Sequence, residues 1–167
     1  MIGFLSRFGN ASTGWLAATV LTICAIGAGA LPSSAADNPF ASLNGTWNGS
    51  GTAQFDGGKT ESLRCKGYYT GGGESLGLSI RCANASAKVE LRANLKSSNG
   101  TVSGDWEERT YNQSGTVTGK ASASRLTLSI AGGIQGSMSV SVGGGGHQVT
   151  VSTGGPTLKG INISMSR

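Results

Sequence analysis

From Asn44 onward, apolar and polar residues alternate with period two, the pattern of a strand with one dry and one wet face. The clearest run covers residues 87–96: Ala87, Val89, Leu91, Ala93 and Leu95 share one face, while Lys88, Glu90, Arg92, Asn94 and Lys96 share the other. The same alternation marks Leu76, Leu78, Ile80 and Cys82; Leu126, Leu128 and Ile130; Met138, Val140 and Val142; Val149 and Val151; and Ile161, Ile163 and Met165. A weaker strand is expected over residues 114–121, where Val117 alone marks the dry side. Such a pattern predicts antiparallel sheet with a single buried face.

Turn signals separate these runs at short intervals: Asp56-Gly57-Gly58, residues 71–73, Ser98-Asn99-Gly100, Gly132-Gly133, residues 143–146 and Gly154-Gly155-Pro156. No proline lies between Phe40 and Gly155, so nothing in that span interrupts ladder pairing. About ten strands follow from these rules, linked as an up-and-down meander. Two sheet edges must be disposed of, and closure into a β-barrel removes both, whereas a β-sandwich, the alternative, leaves them partly open. If Cys65 faces Cys82 across a hairpin, Gly67 pairs with Ile80 and Tyr69 with Leu78, the turn centres on Gly73-Glu74, and both sulfurs lie on the dry face.

The first strand of this meander, within residues 41–55, places Trp47, Gly49, Gly51, Ala53 and Phe55 on one face. Inward glycines let a strand coil sharply, as barrel closure requires. Leu43 followed by Gly45-Thr46-Trp47 resembles the calycin group of lipocalins, fatty-acid-binding proteins and avidins, whose first strand often carries Gly-x-Trp. The resemblance implies a barrel with Trp47 packed over its floor; a second Gly-x-Trp, Gly104-Asp105-Trp106, lies mid-chain. The resemblance rests on these few residues and carries no ligand residue across.

The beginning of the chain reads differently. Arg7 is followed by the apolar run of residues 16–30 and then the small residues Ser34-Ala35-Ala36, the layout of an export signal cleaved ahead of Asp37. That run is shorter than the roughly 20 residues a membrane-spanning helix needs. The expected organisation is therefore a signal peptide over 1–36, a short lead over 37–44 and one barrel domain over 45–167, with the mature protein periplasmic or secreted. Cleavage would remove Cys24 and leave Cys65 and Cys82, which in an oxidising compartment pair as a disulfide. The net charge is +5, from basic residues that look scattered among Ser, Thr and Glu rather than clustered as in a nucleic-acid footprint, so no nucleic-acid partner is expected.

Candidate chemistry is sparse. The single histidine, His147, follows Gly146 in an expected hairpin loop and reads as an exposed imidazole without partners. Asp105 and Glu107 should face solvent, whereas Glu108 shares the parity of Trp106 and would point into a barrel mouth. Residues 143–146 precede neither Lys-Ser nor a helix and make no phosphate loop. No catalytic constellation, metal site or cofactor is expected, and the protein is read as a non-enzyme. The leading expectation is a barrel that binds a small apolar or amphipathic ligand, with Trp47, Tyr69, Trp106 and Glu108 as candidate contacts. The alternative is an envelope protein that acts through protein contact, as an inhibitor or structural module. A lipid-facing outer-membrane barrel fits less well, because only seven aromatic residues follow Asp37 to build two girdles.

Overall fold

The computed structural model describes residues 39–85 and 87–167; the segment read as a signal peptide lies outside them. A single helical turn, α1 (Phe40–Leu43), precedes ten strands: β1 (Gly45–Phe55), β2 (Thr60–Gly72), β3 (Ser75–Ala83), β4 (Lys88–Ser98), β5 (Thr101–Glu108), β6 (Gln113–Ser122), β7 (Arg125–Gly132), β8 (Gly136–Gly143), β9 (Gly146–Thr153) and β10 (Leu158–Ser166). Each strand pairs antiparallel with the next, and β1 pairs with β10, so the meander is a closed barrel rather than a sandwich.

The seam shows why the first strand is rich in glycine. Gly49 lies opposite Met165 and Gly51 opposite Ile163. A side chain on Gly51 would overlap the Asn162 carbonyl, and one on Gly49 would overlap the Met165 sulfur. Closing ten strands forces β1 and β10 to coil this tightly, and only a residue without Cβ fits.

The β2–β3 hairpin has the register expected from its cysteines. Cys65 pairs with Cys82, Gly67 with Ile80 and Tyr69 with Leu78, and Gly72 opposite Ser75 leaves Gly73-Glu74 as the turn. The two cysteines form a disulfide across a Cα separation of 4.1 Å. Asn99 and Gly100 (φ 49° and 74°) reverse the chain between β4 and β5, as Gly144 and Gly145 (φ 60° and 78°) do between β8 and β9. Both pairs have the positive φ at two successive residues that a tight hairpin matching the sheet twist needs.

Alternation sends the apolar set inward. Among the described residues, the large hydrophobic side chains that remain exposed are Tyr68 and Tyr111. The outward positions are mostly Ser, Thr, Asn, Lys and Arg, the reverse of the apolar outer band of a lipid-facing barrel.

Burial of the inward set differs between the two ends. Where β1, β3, β5, β7 and β9 begin, Trp47, Leu76, Val102, Leu126 and His147 are all buried. Phe40 and Leu43, at 0% and 2% exposure, belong to the same buried core through α1, which packs beside β2. Toward the other end, inward Phe55, Ile80, Leu91, Ile130, Met138 and Val151 are only half-buried. The barrel thus has a plugged, dry floor and a wetter apolar mouth.

Candidate functional site

The floor is held by four stacked side chains from β1, β2, β9 and the C-terminus. The Trp47 indole N–H donates to the Leu43 carbonyl at 2.6 Å, tying the strand to the helical plug. Over the same indole sits the Arg167 guanidinium, 4.4 Å from the ring centroid, donating to the carbonyls of Ser42 (3.1 Å) and Asn44 (2.8 Å). His147 meets Trp47 edge-on at 4.6 Å between centroids and shares a 3.0 Å hydrogen bond between its Nε2 and the Tyr69 hydroxyl. Burial pushes the Tyr69 phenol above its ordinary range. The same desolvation, helped by the nearby Arg167 charge, lowers His147 to about 4, so it is neutral at pH 7.

This overturns the expectation of an exposed loop histidine. Gly144 and Gly145 complete the reversal by themselves, so Gly146 already belongs to β9 and His147 is its first inward residue, opposite Val142 and Met165. It is 4% exposed, and its Nδ1 has no hydrogen-bond partner among the described residues.

Glu108 points inward, as its parity required, but its carboxylate is occupied by the backbone. Oε1 accepts from the N–H groups of Glu90 (3.2 Å) and Thr110 (2.9 Å), and Oε2 from that of Tyr111 (2.7 Å). Burial raises the carboxyl, yet these donors outweigh it and hold the group below the usual carboxylate range. Glu108 therefore anchors the β5–β6 turn at the mouth and presents Tyr111, which is 61% exposed. Trp106, 7% exposed, lies between Ala93 and Gly115 and donates across β6 to the Ala131 carbonyl at 3.1 Å.

The four candidate contacts thus do not converge. Trp47 and Tyr69 belong to the floor, Glu108 to the mouth, and Trp106 to the wall between. His147 and Arg167 are the floor residues that sequence reasoning missed. A signal for Arg167 did exist, since a terminal Arg two residues beyond inward Met165 keeps that residue's parity.

The mouth offers apolar surface beside the Glu108 carboxylate: Phe55, Ile80, Leu91, Ile130, Met138 and Val151 face inward there, half-buried. Two concavities lie on the outer wall. One, of about 800 Å³, crosses β2 to β6 and is lined by outward polar residues including Arg92, Asn94, Asp105 and Glu107 beside Tyr68. The other, of about 370 Å³, lies beside the disulfide. Among the described residues, no three His, Cys, Asp or Glu side chains converge as metal ligands.

The comparisons bear on the fold alone. No known family matches the chain, and no curated protein does. Among solved structures it is similar to the crystal structure of Rv2717c from M. tuberculosis, with a TM-score of 0.63 at 14% identity, over 75% of this chain and 92% of that one. At that identity the likeness extends to the barrel architecture and leaves the site to be argued from its own residues.

Proposed function

We propose that this protein is an exported, non-enzymatic β-barrel of calycin-like design that holds a small apolar or amphipathic molecule in the mouth opposite its α1 plug. The observation that carries this reading is the asymmetry of burial along the barrel axis. A barrel serving only as a filled scaffold gains by drying its interior throughout, at roughly 25 cal/mol for each Å² of apolar surface removed from water. Here Ile80, Leu91, Ile130 and Met138 keep part of that surface open, while the floor is sealed by Phe40, Leu43 and Trp47. A cup closed at one end and apolar at the other fits a ligand with an apolar body and a polar tip at the rim. The disulfide supports export.

The test is titration with a neutral fluorescent probe such as N-phenyl-1-naphthylamine. A saturable rise in emission, abolished in Met138→Lys and retained in Lys120→Gln on the outer wall, is expected. No saturable binding to the folded wild type removes the reading. A second reading, action through a protein partner, is favoured by one feature: Tyr111 stands exposed at the rim on a turn fixed by the Glu108 carboxylate. Rigidly presented aromatic side chains are common anchors of protein interfaces. Reproducible capture of one envelope protein that is lost in Tyr111→Ser would favour it.

A further inference from the structure

Folding gathers basic residues that are dispersed along the sequence. Arg64 and Lys66 on β2, Arg81 on β3 and Lys88 on β4 all line the 370 Å³ cleft beside the disulfide. Arg92 and Arg109 adjoin it through Glu90, whose carboxylate lies 3.3 Å from Arg81, 2.8 Å from Arg92 and 3.8 Å from Arg109. The cleft lining itself holds four cations against one carboxylate, Glu90, a surplus of three positive charges, while Arg92 and Arg109 beyond it lie beside Asp105 and Glu107. The scatter read from the sequence is therefore a scatter in chain order only.

The pairing is unfavourable for the protein standing alone. Lys66 lies directly opposite Arg81, a like-charge cross-strand pair of the kind that destabilises a sheet. Arg64 faces Ser50 and Ala83, Lys66 has Asn48 on its other side, and Lys88 faces Ala83, so none has a carboxylate across the ladder. Among the described residues no ion pair forms to Arg64, Lys66 or Lys88; Lys66 lies 5.9 Å from the Tyr68 ring centroid. The single carboxylate lining the cleft, Glu90, is shared among three arginines and held below its usual range, first by its hydrogen bond from Arg92. A solvated strand face needs no such arrangement, since alternating signs would stabilise it.

We propose that this cleft is a binding site for a compact anion bearing two phosphate groups. Positions two apart on a strand are separated by roughly 7 Å and β2 from β4 by roughly 10 Å, so the cations enclose an area of about that size. That footprint suits a small polyanion rather than a long polymer. Phosphate fits the charge best: each monoester carries about −1.5 to −2 at pH 7, so two neutralise a surplus of three that would otherwise take three carboxylates. Arg64 and Arg81 supply planar forks suited to bidentate contact with phosphate oxygens, and Lys66 and Lys88 supply point charges between them. The site is on the outer wall and is independent of any ligand in the mouth.

Two sources share this chemistry, a soluble molecule with two phosphate groups and the two-phosphate headgroup of cardiolipin. The test is an NMR titration of the disulfide-intact exported chain with pyrophosphate and, separately, with citrate, paired with co-sedimentation on phosphatidylcholine vesicles with and without cardiolipin. Pyrophosphate is expected to shift the amides of residues 64–66, 81–83 and 88–90. Its affinity should fall at least about tenfold in Lys66→Gln/Arg81→Gln, the factor expected for losing one charge-assisted hydrogen bond, and hold in Lys120→Gln/Arg125→Gln, which removes the same charge elsewhere. With that result, sedimentation on cardiolipin vesicles that depends on Lys66 and Arg81 identifies the headgroup source, and its absence the soluble one. No shift at those amides, citrate binding as tightly as pyrophosphate, or equal losses in the two double variants would overturn the proposal.

Discussion

Acidification from pH 7 to pH 5 should weaken the fold through one side chain, His147. Its folded-state pKa is lowered to about 4 from an ordinary 6.5. The unfolded chain therefore takes up a proton as pH falls through 6.5, while the folded chain resists until about pH 4. Stability from this group is complete above pH 7, declines below 6.5 and is gone below 4. By linkage the loss is about 2 kcal/mol between pH 7 and pH 5, and about 3 kcal/mol in all. These are upper values, given that the buried Nδ1 has no partner among the described residues and a small opening of the floor would let it hydrate. Glu90 and Glu108 do not interfere in this window, since both are held below their ordinary range and lose their contributions only at lower pH. Urea unfolding followed by Trp fluorescence reads the effect directly. For a domain of this size the midpoint should fall by about 1 M between pH 7 and 5. The comparison is Tyr69→Phe/His147→Leu, which removes both members of the hydrogen bond and so strands no polar partner. Equal pH dependence in wild type and this variant would refute the assignment of His147 as a buried neutral imidazole.

Other consequences are as specific. Trp47→Ala removes the floor's largest side chain together with the perch of Arg167, and should cost about 3–5 kcal/mol by thermal or urea unfolding. Gly51→Ala should cost about 1–3 kcal/mol despite adding only a methyl group, because that group meets the Asn162 carbonyl of the closing strand; a neutral result would mean the seam is looser than described. Glu108→Ala should cost about 1–3 kcal/mol and speed amide exchange at Thr110 and Tyr111, whose N–H groups lose their acceptor. Replacing both Cys65 and Cys82 by Ser should lower stability by less than the roughly 3 kcal/mol of the chain-entropy estimate, because the hairpin already holds their strands together.

The wall of the barrel was legible because strand alternation is binary: once Cys65 is set opposite Cys82, every neighbour in β2 and β3 is determined. Closure rather than a sandwich was legible in part, through the inward glycines of β1, and was decided by pairing with a strand more than 100 residues away. The floor was harder to read. The four-residue α1 is too short to show helical periodicity, and Phe40 and Leu43 reveal their purpose only beside Trp47. His147 depended on turn length: a loop one residue longer would have left it in solvent, and a run of four glycines does not say which two make the turn. Glu108 was placed on the correct face, but its backbone partners come from a turn whose geometry the sequence does not encode by pattern. The pairing of Lys66 with Arg81 followed from the same register as the cysteines, but the basic wall needs Lys88 on β4 as well, which joins it only through the β3–β4 pairing.

The proposed mouth ligand is tested most directly by intact mass of the protein purified from its own source, recorded first under native and then under denaturing conditions. The account predicts a native mass exceeding the denatured one by a small molecule that is released on unfolding and retained in Lys66→Gln/Arg81→Gln, which leaves the mouth untouched. Identical native and denatured masses, in protein that also fails to take up the neutral probe, would contradict it and leave the barrel as a scaffold for its outer surfaces.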